Sequence, residues 1–146
     1  MKNKGFTLIE LIVVIAIIGI LSTVVIVNVN RVRREARNAT IQANLAALRA
    51  EAEFIFIDAT PDSYELLCVA ADNTLNEAIP ALARIETAIT EQGGAITCVA
   101  SPTEFCVNVP LVGGVDGFAC VDHLGHSGIV ATAICGGGVP PVIRCI

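Results

Sequence analysis

One carboxylate near the start of an otherwise greasy segment constrains this chain more than any other residue. A short basic leader (Lys2, Lys4) ends at Gly5, and Phe6-Thr7-Leu8-Ile9-Glu10 follows. The nineteen residues from Leu11 to Val29 then carry no charge. At the helical rise such a run spans roughly 28 Å, close to the ~30 Å hydrocarbon core of a bilayer. An ionised side chain at the edge of such a segment costs several kcal/mol unless it finds a partner, so carboxylates in membrane spans tend to mark function. An ordinary secretory signal peptide does not account for the pattern, because its small-residue cleavage site follows the apolar core. Here Gly5 precedes the core, and Ile20-Leu21-Ser22-Thr23 follows it.

Gly5-Phe6-Thr7-Leu8-Ile9-Glu10 resembles, residue for residue, the processing motif of the type IV pilin superfamily, whose members carry a class III signal peptide. The resemblance implies that prepilin peptidase cuts between Gly5 and Phe6 and then N-methylates Phe6. It also implies an assembly role for Glu10, which would pair with the Phe6 ammonium of a neighbouring subunit. The physics agrees: two groups expensive in lipid become cheap together, and only when subunits stand in register. Gly19 matches a glycine common in the family, whereas the family's usual proline eight residues later is replaced by Val27. A proline-induced kink is therefore not expected.

Length and charge fit one anchored, exported domain. The 146 residues allow one domain of modest core. Net charge is −5, and loss of Lys2 and Lys4 with the leader would make it −7. From Ala50 onward, twelve acidic residues face only Arg84 and Arg144, which gives −10. Four of the other five bases cluster at Arg31, Arg33, Arg34 and Arg37. By the positive-inside rule that cluster would hold the C-terminal side in the cytoplasm. The opposite topology is expected here, because the leader must meet prepilin peptidase on the cytoplasmic side. All six cysteines (Cys68, Cys98, Cys106, Cys120, Cys135, Cys145) also lie beyond the anchor, as suits a head folding in an oxidising compartment. The protein is thus expected in the cytoplasmic membrane with its head outside, and in a cell-surface filament after assembly.

Residues 30–59 read as an amphipathic helix, free of Pro and Gly. Laid out at 100° per residue, two apolar stripes emerge. One is Val32, Ala36, Ala39, Ala43, Ala46, Ala50, Phe54 and Ile57, and the other is Ile41, Leu45, Leu48, Ala52 and Ile55. A surface helix normally shows a single stripe. Two opposed stripes predict burial on both sides, the bulky one against the chain's own head and the Ala-rich one against other subunits.

The expected organisation is a leader (1–5), a transmembrane and polymerisation helix (6–29), the amphipathic spine (30–59) and a disulfide-stapled head (60–146). Thr60-Pro61 ends the helix. Leu75, Ile79, Leu82, Ile85 and Ile89 recur at helical spacing, with Pro80 either kinking that segment or starting a second short helix. Gly93-Gly94 reads as its stop. Strand-like runs follow at Ala95 to Ala100, Glu104 to Val109 and Gly117 to Asp122, with a hairpin turn at Gly113-Gly114. Phe118-Ala119-Cys120-Val121-Asp122 resembles the aromatic-x-Cys-x-Asp strand of pilin-like heads. The tail (Gly136-Gly137-Gly138, Pro140-Pro141) reads as irregular and stapled by disulfide. The fold class is α+β: a long N-terminal hydrophobic helix of about fifty residues, roughly 80 Å, on a small three-stranded antiparallel head. Six cysteines allow fifteen pairings and spacing alone selects none. The family resemblance implies Cys68–Cys98, Cys120–Cys145 and Cys106–Cys135.

The same residues bear on other chemistries. Cys120, His123, His126 and Cys135 have zinc-like spacing, but an exported six-cysteine chain more often uses its thiols in disulfides. Asp116 and Asp122 are candidate Ca²⁺ ligands, a thin basis for an oxygen cage. Ser101, Ser127 and the two histidines lack the context of a nucleophile, base and orienter set, so the chain is not read as an enzyme and no cofactor is implied. An acidic head without basic patches is poorly suited to nucleic acid. The expected function is that of a structural pilus subunit whose partners are copies of itself or related pilins, prepilin peptidase, the membrane, and an assembly-platform membrane protein driven by a cytoplasmic ATPase. The alternatives are a type II secretion pseudopilin, which a Ca²⁺ site would favour, and a monomeric membrane-anchored binding domain.

Overall fold

The computed structural model describes residues 5–132, 135, 144 and 145, and of Val24, Ile26 and Val27 only the backbone. Met1 to Lys4 of the expected leader and the Gly136–Gly138 and Pro140-Pro141 segments lie outside the described residues. The chain falls into two compact units, Met1–Glu35 and Ala36–Ile146.

In the first unit the backbone at Gly5, Phe6 and Thr7 is non-helical, and helix α1 (Leu8–Asp58, 51 residues) begins at Leu8. Its described side chains from Leu8 to Val32 are exposed within the chain, Ile12, Ile17 and Leu21 each by half or more. This is the one helix among the described residues long and apolar enough to cross a membrane. The two hydroxyls of its apolar stretch are satisfied inside the helix: Ser22 Oγ donates to the Ile18 carbonyl (2.7 Å) and Thr23 Oγ1 to that of Gly19 (3.0 Å). A lipid-facing hydroxyl needs such an internal acceptor, since the bilayer offers none.

In the second unit the C-terminal part of α1 packs on a four-stranded antiparallel sheet of order β3-β4-β5-β6 (Thr97–Ala100, Phe105–Pro110, Phe118–Asp122, Ser127–Val130). The bulky stripe is the core: Ile41, Leu45, Leu48 and Ala52 are at most 1% exposed and Ile55 is 8%. It meets Phe105, Val107, Val109, Ala119 and Val121, which alternate along β4 and β5 and so share one face. Tyr64 stacks between Phe56 (4.5 Å between centroids) and Phe105 (4.9 Å), with its hydroxyl donating to the Glu53 carboxylate at 3.3 Å. Burial, with the nearby Glu53 charge, raises the Tyr64 pKa above its ordinary value. The Ala-rich stripe, from Val32 through Ala36, Ala39, Ala43, Ala46 and Ala50 to Phe54 and Ile57, is exposed along its whole length.

The segment between α1 and the sheet differs in part from the helical reading. Leu75 is buried in a two-residue strand, β2 (Thr74–Leu75), paired antiparallel with β1 (Cys68–Val69). Pro80 then opens α2 (Pro80–Glu91), where its missing N–H costs nothing and its φ suits the first turn. Leu82 and Ile89 are the buried positions of α2. Gly93, at φ 88°, stops it by donating to the Thr90 carbonyl while Gly94 donates to that of Ile89.

The sheet has one strand more than the sequence suggests. β6 pairs with β5 from Phe118↔Val130 to Val121↔Ser127. Its Ser127-Gly128-Ile129 stretch is exposed, so this edge strand lacks the alternation by which a half-buried strand is recognised. A side chain ties α1 to the β4–β5 connection: Asn38, 8% exposed, accepts from the Val112 N–H (2.9 Å) and donates to the Val112 carbonyl (3.3 Å).

These two faces of α1 separate folding from surface function. Leu48→Ala should destabilise the oxidised protein by about 2–5 kcal/mol, read from denaturant unfolding in detergent. Ala46→Ser on the opposite stripe should shift stability by no more than about 0.5 kcal/mol.

Candidate functional site

Two places in the chain concentrate chemistry, one in each unit. The first is the start of α1. Thr7 is the residue before the helix and Glu10 its third residue, the T-x-x-E arrangement of a capping box. The geometry is reciprocal. Thr7 donates to Glu10 Oε2 from both its N–H (2.8 Å) and its hydroxyl (2.7 Å), and the Glu10 N–H lies 3.4 Å from Thr7 Oγ1. The helix N-terminus leaves backbone N–H groups without intrahelical acceptors, and its dipole favours a negative charge there. Glu10 therefore starts the helix as well as charging it. The Gly5–Phe6 bond precedes the helix: Gly5 has no neighbour within 4 Å of where a Cβ would stand, and Phe6 is 80% exposed. A peptidase needs such an accessible, non-helical backbone.

The second place is the sheet face turned away from α1. Cys106 and Asn108 on β4, and Cys120 and Asp122 on β5, share that face through the pairs Cys106↔Asp122 and Asn108↔Cys120. Cys135 and Cys145 cover it, bonded to Cys106 and Cys120 respectively, while Cys68 joins Cys98. These are the three pairs that the resemblance implies, and no described cysteine is free.

Asp122 organises this face and is wholly buried. Its Oδ1 accepts from the N–H groups of Leu124 (3.0 Å) and His126 (3.0 Å), closing the β5–β6 turn. Its Oδ2 accepts from the Cys145 N–H (2.9 Å) and from His126 Nδ1 (2.9 Å). An ionised carboxylate only accepts, so the His126 ring nitrogen is the donor. Burial by itself pushes the Asp122 carboxyl upward, but the bonds from Cys145 and His126 outweigh it and hold the group below its ordinary value. Under the same turn, a Cβ on Gly125 (φ 95°) would stand 3.0 Å from the Arg49 guanidinium, so glycine serves here both for conformation and for room.

This geometry corrects the metal readings. Cys120 and Cys135 are spent in disulfides, so they do not form a zinc set with His123 and His126. His126 turns to Asp122, and His123 Nε2 lies 3.8 Å from Glu104. Asp116 and Asp122 flank β5 at opposite ends and do not converge, and the Asp122 oxygens are already filled by four donors. The capping box was readable in Thr7-x-x-Glu10 but escaped a reading that treated Glu10 only as a buried charge. Nothing in local sequence marks Asn38 or the Cys145–Asp122 bond, whose partners lie 74 and 23 residues apart.

Residues 1–26 match the family described as the prokaryotic N-terminal methylation motif, the class III signal peptide of type IV pilins and pseudopilins. The match covers the first 26 of the 146 residues. Together with the long apolar helix, it fits membrane anchoring with an extracytoplasmic head. No curated protein and no solved structure matches the chain.

The Asp122 bonds predict a definite pH dependence. Because the folded pKa lies below the unfolded one, the contribution is complete above the ordinary carboxylate value of about 3.9 and fades as pH falls through the lowered native value. Asp122→Asn should cost about 1–3 kcal/mol at neutral pH, since an amide nitrogen would then face donors. It should also flatten the acid limb of stability against pH, measured by thermal unfolding between neutrality and strong acid.

Proposed function

We propose that the protein is a structural subunit of a type IV pilus-like filament, cut by prepilin peptidase between Gly5 and Phe6, N-methylated on Phe6, and polymerised through α1. The observation that carries this reading is the motif at residues 1–26 running directly into a helix with apolar residues exposed in both units. Residues 1–5 are the leader, the apolar part of α1 is the anchor, and copies of the chain or related pilins are the partners. An assembly-platform membrane protein with a cytoplasmic ATPase would extract the subunits.

Within this reading the two stripes of α1 divide the labour. The bulky one closes the head, and the exposed Ala-rich one admits close approach of neighbouring helices in the filament. Glu10 offers the neighbour's Phe6 ammonium a carboxylate already oriented by Thr7, since both Thr7 bonds fall on Oε2. A secretion pseudopilin remains the second reading, because it shares the whole N-terminal logic. The pilus reading is preferred because the Asp122 carboxylate, one of the two Ca²⁺ candidates, is committed to Cys145, Leu124 and His126.

Two experiments test the proposal. Mass spectrometry of sheared filaments should give a mature chain beginning at N-methyl-Phe6, and filament subunits that retain Met1 to Gly5 would overturn it. Glu10→Val should leave membrane insertion and cleavage intact, because an expensive charge is removed and the scissile bond lies outside the helix. Filament yield in cells expressing only this variant should fall to background, and normal yield would show that the carboxylate is no assembly device.

A further inference from the structure

The most basic stretch of the chain begins where the apolar segment ends. Arg31, Arg33, Arg34 and Arg37 fall within seven positions, and Glu35 is the only acidic residue between Leu11 and Ala50. Helix α1 runs unbroken through them, and all four arginines are exposed. Glu35 is already engaged, since its Oε1 lies 2.8 Å from Arg31 Nε. Among the described residues, neither Arg33 nor Arg37 has an ion-pair partner. The two stand at i and i+4, so they are neighbours on the helix surface. Like charges so placed destabilise a helix, and an anion between them removes the penalty.

Helix geometry sets the depth of this pair. The uncharged run ends at Val29. At the helical rise, Arg33 follows it by about 6 Å and Arg37 by about 12 Å. The polar zone on either side of a ~30 Å hydrocarbon core is roughly 5–8 Å thick. In an α-helix the Cα–Cβ bonds tilt toward the N-terminus, which for these residues is the direction of the anchor. Both long side chains therefore lean back into the layer of lipid phosphates. A guanidinium suits that layer, because its planar fork meets a phosphate with two hydrogen bonds. With the head outside, these arginines also oppose the usual bias of basic residues toward the cytoplasm. A use for them on the outer side offsets that conflict.

We propose that Arg33 and Arg37 together bind the headgroup phosphate of an anionic phospholipid in the extracytoplasmic leaflet. The inference rests on the membrane-anchored reading and is independent of polymerisation. It also supplies a cationic band beside a head that carries −10 from Ala50 onward, which an anionic surface would otherwise repel.

The test titrates the full chain in neutral detergent with phosphatidylglycerol or phosphatidylcholine and reads the bound lipid by native mass spectrometry. Phosphatidylglycerol should bind about 25-fold more tightly, about fivefold for each guanidinium. High salt should weaken that preference. Arg33→Gln/Arg37→Gln should bind the two lipids alike, with thermal unfolding unchanged because both side chains are exposed. Lys2→Gln/Lys4→Gln should keep the preference, and inorganic phosphate at the lipid's concentration should not displace it. Equal binding by the unmodified chain, a preference that survives in the arginine variant or is lost in the lysine variant, or displacement by inorganic phosphate would overturn the proposal. So would an arginine-dependent dimer in place of lipid binding, which would assign the pair to a second copy's carboxylates. Alkaline extraction of cell membranes reports the anchor separately. Release of the chain would overturn the anchored reading and this inference with it, whereas a retained chain without lipid preference overturns the inference alone.

Discussion

The structure depends on closing a small sheet on both faces with very little chain. The strand β4 is buried from Phe105 through Val109, so neither face can be left to water. One face is covered by the Ile41-Leu45-Leu48-Ala52-Ile55 stripe of α1. Among the described residues, no helix covers the second. Two disulfides draw Cys135 and Cys145 over it, and the Cys145 N–H bond to Asp122 fixes the approach. The bridged residues are separated by 29 and 25 positions, where each bridge contributes about 2–4 kcal/mol in the chain-entropy view. For a head with so small a core, that is a large share of a stability of order 5–15 kcal/mol.

Asp122 shows why these covalent ties alone would not define the fold. A disulfide fixes a distance but leaves the segment's backbone groups to find partners of their own. The carboxylate accepts four hydrogen bonds at the point where β5 ends and the β5–β6 turn begins, one of them from the Cys145 N–H. Buried carboxylates are tolerated only when so satisfied. Asn38 acts in the same way on the other side, meeting both polar groups of Val112 where α1 passes the β4–β5 connection. The polar fasteners lie at chain crossings, and the apolar residues fill the space between them.

How much of this was legible in the sequence follows from the range of each signal. The motif at Gly5-Phe6…Glu10, the two stripes of α1, the stop at Gly93-Gly94 and strands β3 to β5 all write themselves within a few residues. Pro80 was ambiguous locally, and its position at the first turn of α2 was settled by Leu75 pairing away in β2. β6 was missed because an exposed edge strand with Gly128 at its centre carries no alternation. In the candidate sites, Asp122 was visible only as a family-like residue and a weak Ca²⁺ ligand. Its true partners are set by strand register and by residues far along the chain. The zinc-like spacing of Cys120, His123, His126 and Cys135 misled for the same reason: it counts residues along a chain that turns back at Leu124, sending the histidines to carboxylates while Cys120 bonds to Cys145 and Cys135 to Cys106.

On the proposed reading, the capping box changes what Glu10 must do in the membrane. A carboxylate with no donor would resist insertion, yet one fully satisfied within its own chain would have no call on a neighbour. Thr7 directs both its donors to Oε2, a partial satisfaction that lowers the cost of waiting in lipid without removing the reason to pair. Because Thr7 follows the scissile bond by one residue, the cap survives removal of the leader. Cleavage then adds a charged nitrogen at Phe6 within the same turn of chain. That new charge cannot be neutralised by Thr7, which supplies donors to the carboxylate. The processed subunit thus carries an acid and a base at one end of one helix, and a second processed subunit, displaced along the helix axis, presents the two in complementary order. Leader removal thereby becomes the step that makes self-association selective for mature chains.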